Sequence, residues 1–160
     1  MTERASTARS AEERLAALGL KLPDVVPPAA AYVPAVRSGK WVYTAGQLPI
    51  VDGVLPASGK VGSEIDPKRA AELARFCALN ALAAAASVAG GLAAIRRIVK
   101  VTGFVASAPG FTDQPLVVNG ASELLQDVFG DAGKHARSAI GVAVLPKDSP
   151  VEVELIAKVG

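Results

Sequence analysis

The stretch from His135 to Gly160 constrains the fold of this chain more than any other part of its sequence. It contains two runs in which apolar side chains recur with the alternation that is typical of β-strands. A Pro-Lys-Asp-Ser-Pro segment lies between the two runs, and residues of these types favour a turn. The sequence therefore predicts a C-terminal β-hairpin, and a protein in which a rigid sheet presents the functional side chains.

Composition limits the class of protein. The chain has 160 residues, which predicts one domain whose core needs neither disulfides nor metal. Its net charge is +2, with acids and bases mixed along the chain, and this argues against a nucleic-acid partner. A single cysteine excludes an intramolecular disulfide, and one cysteine with one histidine argues against a zinc site. We expect a cytoplasmic protein without a signal peptide.

The N-terminal part is interpreted as an arm, residues 1–29, ahead of a single domain at residues 30–160. Ser10 and Glu13 form a capping-box pattern, which predicts a short helix from Ala11 to Leu18. Three prolines follow before residue 29, and they predict an extended segment without regular structure.

Local signals predict the elements of the domain. In chain order they are a hairpin from Tyr32 to Ile50 turning at Ser38-Gly39, a short strand at Lys60-Val61, a helix from Asp66 to Gly90, a strand from Ile95 to Ala106, a helix from Thr112 or Asp113 to Gly130, and the C-terminal hairpin.

Strands mixed with two long helices predict an α+β fold in which the helices pack on one face of a sheet. In the strand that begins at Ile95, alternation places Val101 on the face opposite Ile98. The second face of the sheet is also apolar, with side chains such as Ile140 and Val142. Because an uncovered apolar face favours association, we expect an oligomer.

The uncharged run from Phe76 to Ile95 is about as long as a membrane span. It is mostly alanine and is interrupted by Asn80, Ser87 and Gly90-Gly91, which favours a buried helix and no membrane partner. Cys77 lies on the apolar stripe of this helix, and we interpret it as a core residue rather than a nucleophile.

Arg137 is the first candidate site residue, since a guanidinium grips a carboxylate through two parallel hydrogen bonds. It lies where a loop becomes a strand, a common position for binding residues. The alternative is a solvated arginine at a strand end. His135, two residues earlier, shares the face of Arg137 if the strand starts early, and is otherwise a loop histidine.

Glu152 and Glu154 lie on one face of the last strand. Carboxylates on an otherwise apolar strand need a partner or a wet cavity, where one of them could orient a water or transfer a proton. The alternatives are a salt bridge to Lys158 or Lys100, or an exposed edge.

Three further positions are candidates for contact with a ligand. Gly46 ends a predicted strand and permits close approach to the backbone, although a bulge or tight turn explains it equally. Tyr32 either closes a pocket or covers the sheet. Asn119 either reaches a ligand or serves as a capping or exposed residue.

Several short segments between Ala30 and Val159 jointly resemble the Rid (YjgF-type) family of enamine/imine deaminases. They are Tyr32, Thr44-Ala45-Gly46-Gln47-Leu48-Pro49, Asn119, Ala136-Arg137-Ser138, Leu145-Pro146-Lys147-Asp148 and Val151-Glu152-Val153-Glu154. The resemblance implies a chorismate-mutase-like fold, with a mixed sheet and two helices on one face. It also implies a homotrimer with a β-barrel core and three clefts between subunits.

The same resemblance implies hydrolysis of reactive 2-imino and enamino acids, which pyridoxal-phosphate enzymes form, to 2-oxo acids and ammonia. Arg137 would hold the substrate carboxylate and Glu152 would position the attacking water. The substrate would further meet Gly46, the backbone near Ala139, Tyr32 and Asn119. No metal or cofactor is needed, because an imine carbon is already electrophilic and the reaction requires chiefly orientation.

Two features leave a second class of function open. Ala139 stands where the deaminase branch of this family often has cysteine, and the segment from Ser107 to Pro115 indicates a distinct branch. The alternative is a trimer that binds small carboxylates without catalysis, as a ligand-binding or chaperone-like module.

Overall fold

The protein consists of a sheet with two long helices on one of its faces, in a computed structural model that describes residues 9–160. The helices and strands, in chain order, are α1 (Ala11–Ala17), β1 (Ala35–Ser38), β2 (Trp41–Thr44), α2 (Pro67–Ala89), β3 (Ile95–Ala106), α3 (Gln114–Phe129), β4 (Ala136–Val142) and β5 (Val151–Val159). The predicted α+β class is confirmed.

Local capping explains where the helices begin and end. Ser10 Oγ accepts a hydrogen bond from the Glu13 backbone, and the Glu13 carboxylate accepts one from the Ser10 backbone, so the capping box is present. The Asp66 carboxylate accepts a hydrogen bond from the Lys68 backbone at 2.8 Å and starts α2. Gly90, with φ +98°, ends it. These signals depend on neighbours within one helical turn, and the sequence predicts them correctly.

The five strands lie in the order β1-β2-β5-β3-β4. β3, α3 and β4 form a β-α-β unit in which β4 runs parallel to β3, as a helical crossover permits. β5 is inserted between β2 and β3 and runs antiparallel to both.

The predicted C-terminal hairpin is therefore wrong, because β3 separates β4 from β5. Backbone hydrogen bonds show how the chain passes from one to the other. The Ser107 N–H donates to the Val142 carbonyl at 2.9 Å, and the Ala106 N–H donates to the Pro150 carbonyl at 3.0 Å. The segment between the two runs thus crosses the end of β3 instead of making a tight turn.

Two smaller predictions also fail. The expected strand at Lys60-Val61 is reduced to isolated bridges from Val61 to Ile65 and Ser107. In β3, Ile98 is as buried as Val101, although alternation puts them on opposite faces. The pairing with β5 shifts between Ile98 and Lys100, and such an irregularity turns both side chains toward the core.

The core lies between the sheet and helices α2 and α3, where Val42, Val101, Val153 and Leu155 are at most 1% exposed. The two helices touch closely, since a Cβ on Gly120 would lie 1.9 Å from the Ala71 carbonyl oxygen. Leu15 of α1 is buried in the same core. The division into an arm at residues 1–29 and a domain at residues 30–160 stays a prediction.

Helix α2 has the length and hydropathy of a membrane span, but 67% of its most apolar window is buried inside the protein. Cys77 is fully buried and approaches the Val151 carbonyl oxygen at 3.7 Å. Burial, followed by the charge of Glu152, raises the pKa of its thiol. The interpretation as a buried core helix with a core cysteine is confirmed.

The side of the sheet opposite the helices carries several exposed side chains in residues 9–160 and is called the open face here. Large apolar side chains on it are 40 to 50% exposed, namely Val36, Trp41, Tyr43 and Ile140. Such an apolar surface favours contact with another protein surface.

Candidate functional site

A cavity of about 130 Å³ lies beside the first residues of β5 and is called the Glu152 cavity here. Its lining comprises Glu152, Gly46 and Tyr32, the arm residues Val26 to Ala29, and Pro34, Gln47, Leu48, Ile50, Pro146 and Lys147. Three of the residues predicted for the site therefore lie together.

Gly46 approaches Glu152 so closely that no side chain fits. A Cβ at this position would lie 1.8 Å from Glu152 Oε1. The backbone here is tied to β5, because Gln47 donates to the Val153 carbonyl at 2.8 Å and Val153 donates back at 3.0 Å. The carboxylate therefore rests against bare backbone, which holds it in place.

Glu152 is half-buried and forms no ion pair within the described residues 9–160. Burial, and then the negative charge of Glu154, raises the pKa of its carboxyl group. The expected salt-bridge alternatives, Lys100 and Lys158, form no ion pair with either glutamate among residues 9–160, and Lys100 Nζ instead donates to Ser138 Oγ at 2.9 Å. A raised pKa makes a carboxyl group a better proton acceptor than an ordinary glutamate.

Arg137 lies on β4 and is held against helix α3. Its Nη1 donates to Asn119 Oδ1 at 2.8 Å and to Ser122 Oγ at 3.2 Å, and its Nη2 donates to the Pro115 carbonyl at 3.2 Å. A guanidinium has five N–H donors. Within the described chain, the Nε–H and one Nη2–H are left, and two donors are the number that a carboxylate takes in a bidentate pair.

The polar side chains around Arg137 form what is called the Arg137 cluster here, consisting of Arg137, Asn119, Ser122 and His135. Asn119, predicted to reach a ligand, accepts a hydrogen bond from Arg137, and its contact with a ligand stays a prediction. Ser122 is not among the residues predicted for the site, although its spacing of three from Asn119 places both on one helix face. Ala139 lies two residues beyond Arg137 on the same face of β4.

The Glu152 cavity and the Arg137 cluster, called the two half-sites here, do not meet within the chain. Arg137 pairs with Val101 on one side of β3, and Glu152 pairs with Phe104 on the other side. Two strand spacings, roughly 10 Å, and three positions along β3 separate the two backbones. Strand alternation also points Arg137 toward the helices and Glu152 away from them.

The fold defines the class as an α+β protein with two helices on one face of a mixed sheet, in which Arg137 lies on the edge strand β4 and Glu152 near the start of the central strand β5. A family model described as "YjgF/chorismate mutase-like, putative endoribonuclease" matches residues 12–159. The chain therefore belongs to the YjgF family, as the sequence analysis predicts.

Curated relatives agree with this assignment. Protein TCP17 of Trypanosoma cruzi is 41% identical over 142 residues, covering 88% of this chain and 89% of that protein. The Escherichia coli protein named "Putative reactive intermediate deaminase TdcF" is 30% identical over 128 residues, covering 79% of this chain and 84% of TdcF.

Solved structures share the fold. A Shewanella oneidensis protein described as a "putative endoribonuclease" superposes with a TM-score of 0.91 at 32% identity, covering 94% of this chain and all of that one. Atu1372 of Agrobacterium tumefaciens, of unknown function, has a TM-score of 0.86 at 44% identity, covering 94% and 92%. E. coli TdcF with bound serine has a TM-score of 0.63 at 28% identity, covering 85% and 94%.

Proposed function

We propose that this protein is a cytoplasmic homotrimer that hydrolyses reactive 2-imino and enamino acids to 2-oxo acids and ammonia. Each active cleft combines the Glu152 cavity of one subunit with the Arg137 cluster of its neighbour. The observation that carries the proposal is the separation of the two half-sites within one chain, together with an apolar open face able to bring a second chain against it.

Arg137 anchors the substrate. Its two remaining donors pair with the substrate carboxylate, while three bonds to α3 and to the start of that helix keep the guanidinium in place. The serine bound to TdcF is likewise a small molecule with a carboxylate. Such a fixed anchor orients the imine carbon for attack.

Glu152 supplies the acid–base chemistry. The substrate reacts as the protonated imine, C=NH2+. The Glu152 carboxylate takes a proton from a water molecule as the water oxygen bonds to the imine carbon, and the C=N π electrons move onto the nitrogen. The resulting tetrahedral carbon carries a hydroxyl and an amino group. The protonated Glu152 then gives its proton to the amino nitrogen, and the C–N bond breaks with its electron pair leaving on ammonia. The hydroxyl O–H electrons form the C=O bond of the 2-oxo acid as the hydroxyl proton returns to the Glu152 carboxylate, which releases it to solvent.

Two further residues shape the cavity. Gly46 keeps the backbone close to the Glu152 carboxylate. The Tyr32 hydroxyl accepts a hydrogen bond from the Ala29 backbone at 3.4 Å, and this contact ties the tyrosine to the N-terminal arm over the cavity. We propose that the substrate also passes Asn119 and the backbone at Ala139, on the neighbouring subunit's side of the cleft.

Imine trapping tests the activity. An amino-acid oxidase generates 2-iminobutanoate or 2-iminopropanoate, and semicarbazide traps whatever imine survives. The wild-type protein should suppress trapping and Arg137→Ala should not, because losing a bidentate carboxylate contact costs about 2–5 kcal/mol. Arg69→Ala is the matched control, since Arg69 pairs with Glu72 on the surface.

Two outcomes would decide against parts of the proposal. Equal trapping with and without the wild-type protein rejects deamination of these substrates. If serine or a 2-oxo acid then still binds, the carboxylate-binding module is the better function. A monomeric mass in light scattering would reject the shared cleft.

A further inference from the structure

A continuous line of hydrogen bonds runs from Arg137 through Ser122 and His135 to the backbone. Arg137 Nη1 lies 3.2 Å from Ser122 Oγ, and Ser122 Oγ lies 2.9 Å from His135 Nε2. His135 Nδ1 lies 2.6 Å from the Gly133 carbonyl oxygen. Ser122 is 6% exposed, so the middle of this line is shielded from solvent, while Arg137 and His135 on either side are partly buried.

The chemistry of its two ends determines the direction of every bond. A guanidinium has no acceptor, so Arg137 donates and Ser122 Oγ accepts. A carbonyl has no hydrogen, so His135 Nδ1–H donates to Gly133. In a neutral imidazole the other nitrogen is then an acceptor, and the Ser122 hydroxyl donates to His135 Nε2. Each hydrogen thus has one position.

Protonation of the His135 ring would disrupt this sequence of hydrogen bonds from Arg137 to Gly133. Both ring nitrogens would donate, the Ser122 hydroxyl would lose its acceptor, and a second positive charge would face Arg137. Burial, together with the charge of Arg137, lowers the pKa of His135, while the bond to Gly133 acts in the opposite direction. The other charged groups at this turn are Arg97, which donates to the Lys134 carbonyl, and the Asp131–Lys134 ion pair.

We propose that Ser122 and His135 are positioning residues that hold the Arg137 guanidinium with its two free donors toward the substrate carboxylate. The inference rests on the proposed function. An arginine side chain has many rotamers, and holding it in the binding orientation before the substrate arrives reduces the entropy lost on binding. The last link, Gly133, ends a turn whose backbone packs on α3, since a Cβ there would lie 2.2 Å from the Leu125 carbonyl oxygen.

Kinetics separates positioning from a general structural role. In the imine assay, Ser122→Ala should raise KM about tenfold, the value of one hydrogen bond to a charged group, and change kcat less than twofold. Ser122→Thr keeps the hydroxyl and should stay near wild type. Ser87→Ala, which removes a serine hydroxyl from helix α2, is the matched control, and thermal unfolding checks that each variant is folded. An unchanged KM in Ser122→Ala would overturn the inference.

The tautomer of His135 can be measured directly, because the chain has one histidine. In tag-free protein labelled with ¹⁵N-histidine, NMR at pH 7 should show a neutral ring with its hydrogen on Nδ1. A ring protonated on both nitrogens, or on Nε2 alone, would overturn the inference whether or not the protein is an enzyme.

Binding of serine distinguishes failure of this inference from failure of the proposed function. Suppose that the wild type binds serine without hydrolysing imines, while Ser122→Ala weakens that binding about tenfold. This result would support the positioning role of Ser122 and reject the proposed deaminase activity. If Ser122→Ala hydrolyses imines with the wild-type KM, the result supports the deaminase activity and rejects the positioning role of Ser122.

Discussion

The Arg137 cluster and the Glu152 cavity are built in opposite ways. In the cluster, Arg137 has three acceptors on α3 and at its start, and the hydroxyl and imidazole beside it are paired. In the cavity, a half-buried carboxylate faces a second acid without an ion pair in the described part of the chain. The cluster thus holds its cation by several hydrogen bonds, whereas the cavity keeps an acid in an environment that disfavours its charged form.

The largest expected effect is the recovery of imine hydrolysis when two inactive variants are mixed. Arg137→Ala and Glu152→Gln each disable every cleft of their own trimers. In trimers re-formed from an equal mixture, about one cleft in four takes Glu152 from one variant and Arg137 from the other, by random assortment around the ring. Imine trapping should therefore show activity rising from background to about a quarter of wild type. Failure to recover activity, with mixed trimers shown by mass spectrometry, would place both residues in one subunit's site.

A charged side chain on the open face should prevent the subunits from associating and forming the cleft, while leaving the Glu152 cavity and the Arg137 cluster unchanged. Ile140 is 40% exposed in the single chain, and Ile140→Glu would bury a charge if subunits cover that face. We expect a monomeric mass in light scattering and loss of imine hydrolysis, with circular dichroism unchanged. Val54→Glu, at an apolar loop position that is 63% exposed, should remain assembled and active. A fully active Ile140→Glu protein would show that the open face is not the interface.

Gly46→Ala should displace the carboxylate in the Glu152 cavity and leave the Arg137 cluster unchanged. The new methyl group would overlap Glu152 Oε1, and displacing a catalytic group by about 1 Å costs on the order of 100-fold in rate. Serine binding through Arg137 should weaken far less than kcat falls. In a Glu152→Ala background the overlap is gone, so adding Gly46→Ala should cost little further stability in urea unfolding. An equal stability loss in both backgrounds would show that the backbone, and not the carboxylate, requires glycine.

The smallest expected effect is a change in how the free energy of unfolding depends on pH. Because the folded protein raises the pKa of Glu152, this group favours folding below its unfolded pKa of about 4.3, and the contribution is lost as pH rises through the folded pKa. At neutral pH the ionised carboxylate therefore opposes folding. Glu152→Gln should be inactive yet at least as stable as wild type at pH 7, and its advantage should shrink toward pH 4. Urea unfolding measures this, and a Glu152→Gln protein that is less stable at pH 7 would contradict it.

Prediction from sequence works best where a signal involves close neighbours. The Ser10–Glu13 capping box and the Asp66 cap follow from side chains within one turn of the backbone they satisfy. The alternation in β5 correctly separates Glu152 from the buried Val151 and Val153. The family resemblance brings Gly46 and Tyr32 to the same site as Glu152, and the cavity contains all three.

Prediction fails where distant segments compete. Two alternating runs next to each other in sequence suggest a hairpin, yet the β-α-β crossover through α3 places β4 parallel to β3 and leaves the other edge of β3 to β5. Ser122 was overlooked because a serine within an apolar helical stripe has no signal of its own. Its role depends on Arg137 and His135, which approach it only after α3 packs on the sheet.

Residue type and local spacing thus decide which helices and strands form, which faces are apolar, and which two side chains can bind a carboxylate and move a proton. These properties depend on interactions between residues about four positions apart or fewer. Strand order, the pairing of Arg137 with α3, and the separation of Arg137 from Glu152 on opposite faces of the sheet belong to the tertiary structure. They depend on how helices and strands far apart in sequence bury their apolar faces together, and no local pattern contains that information.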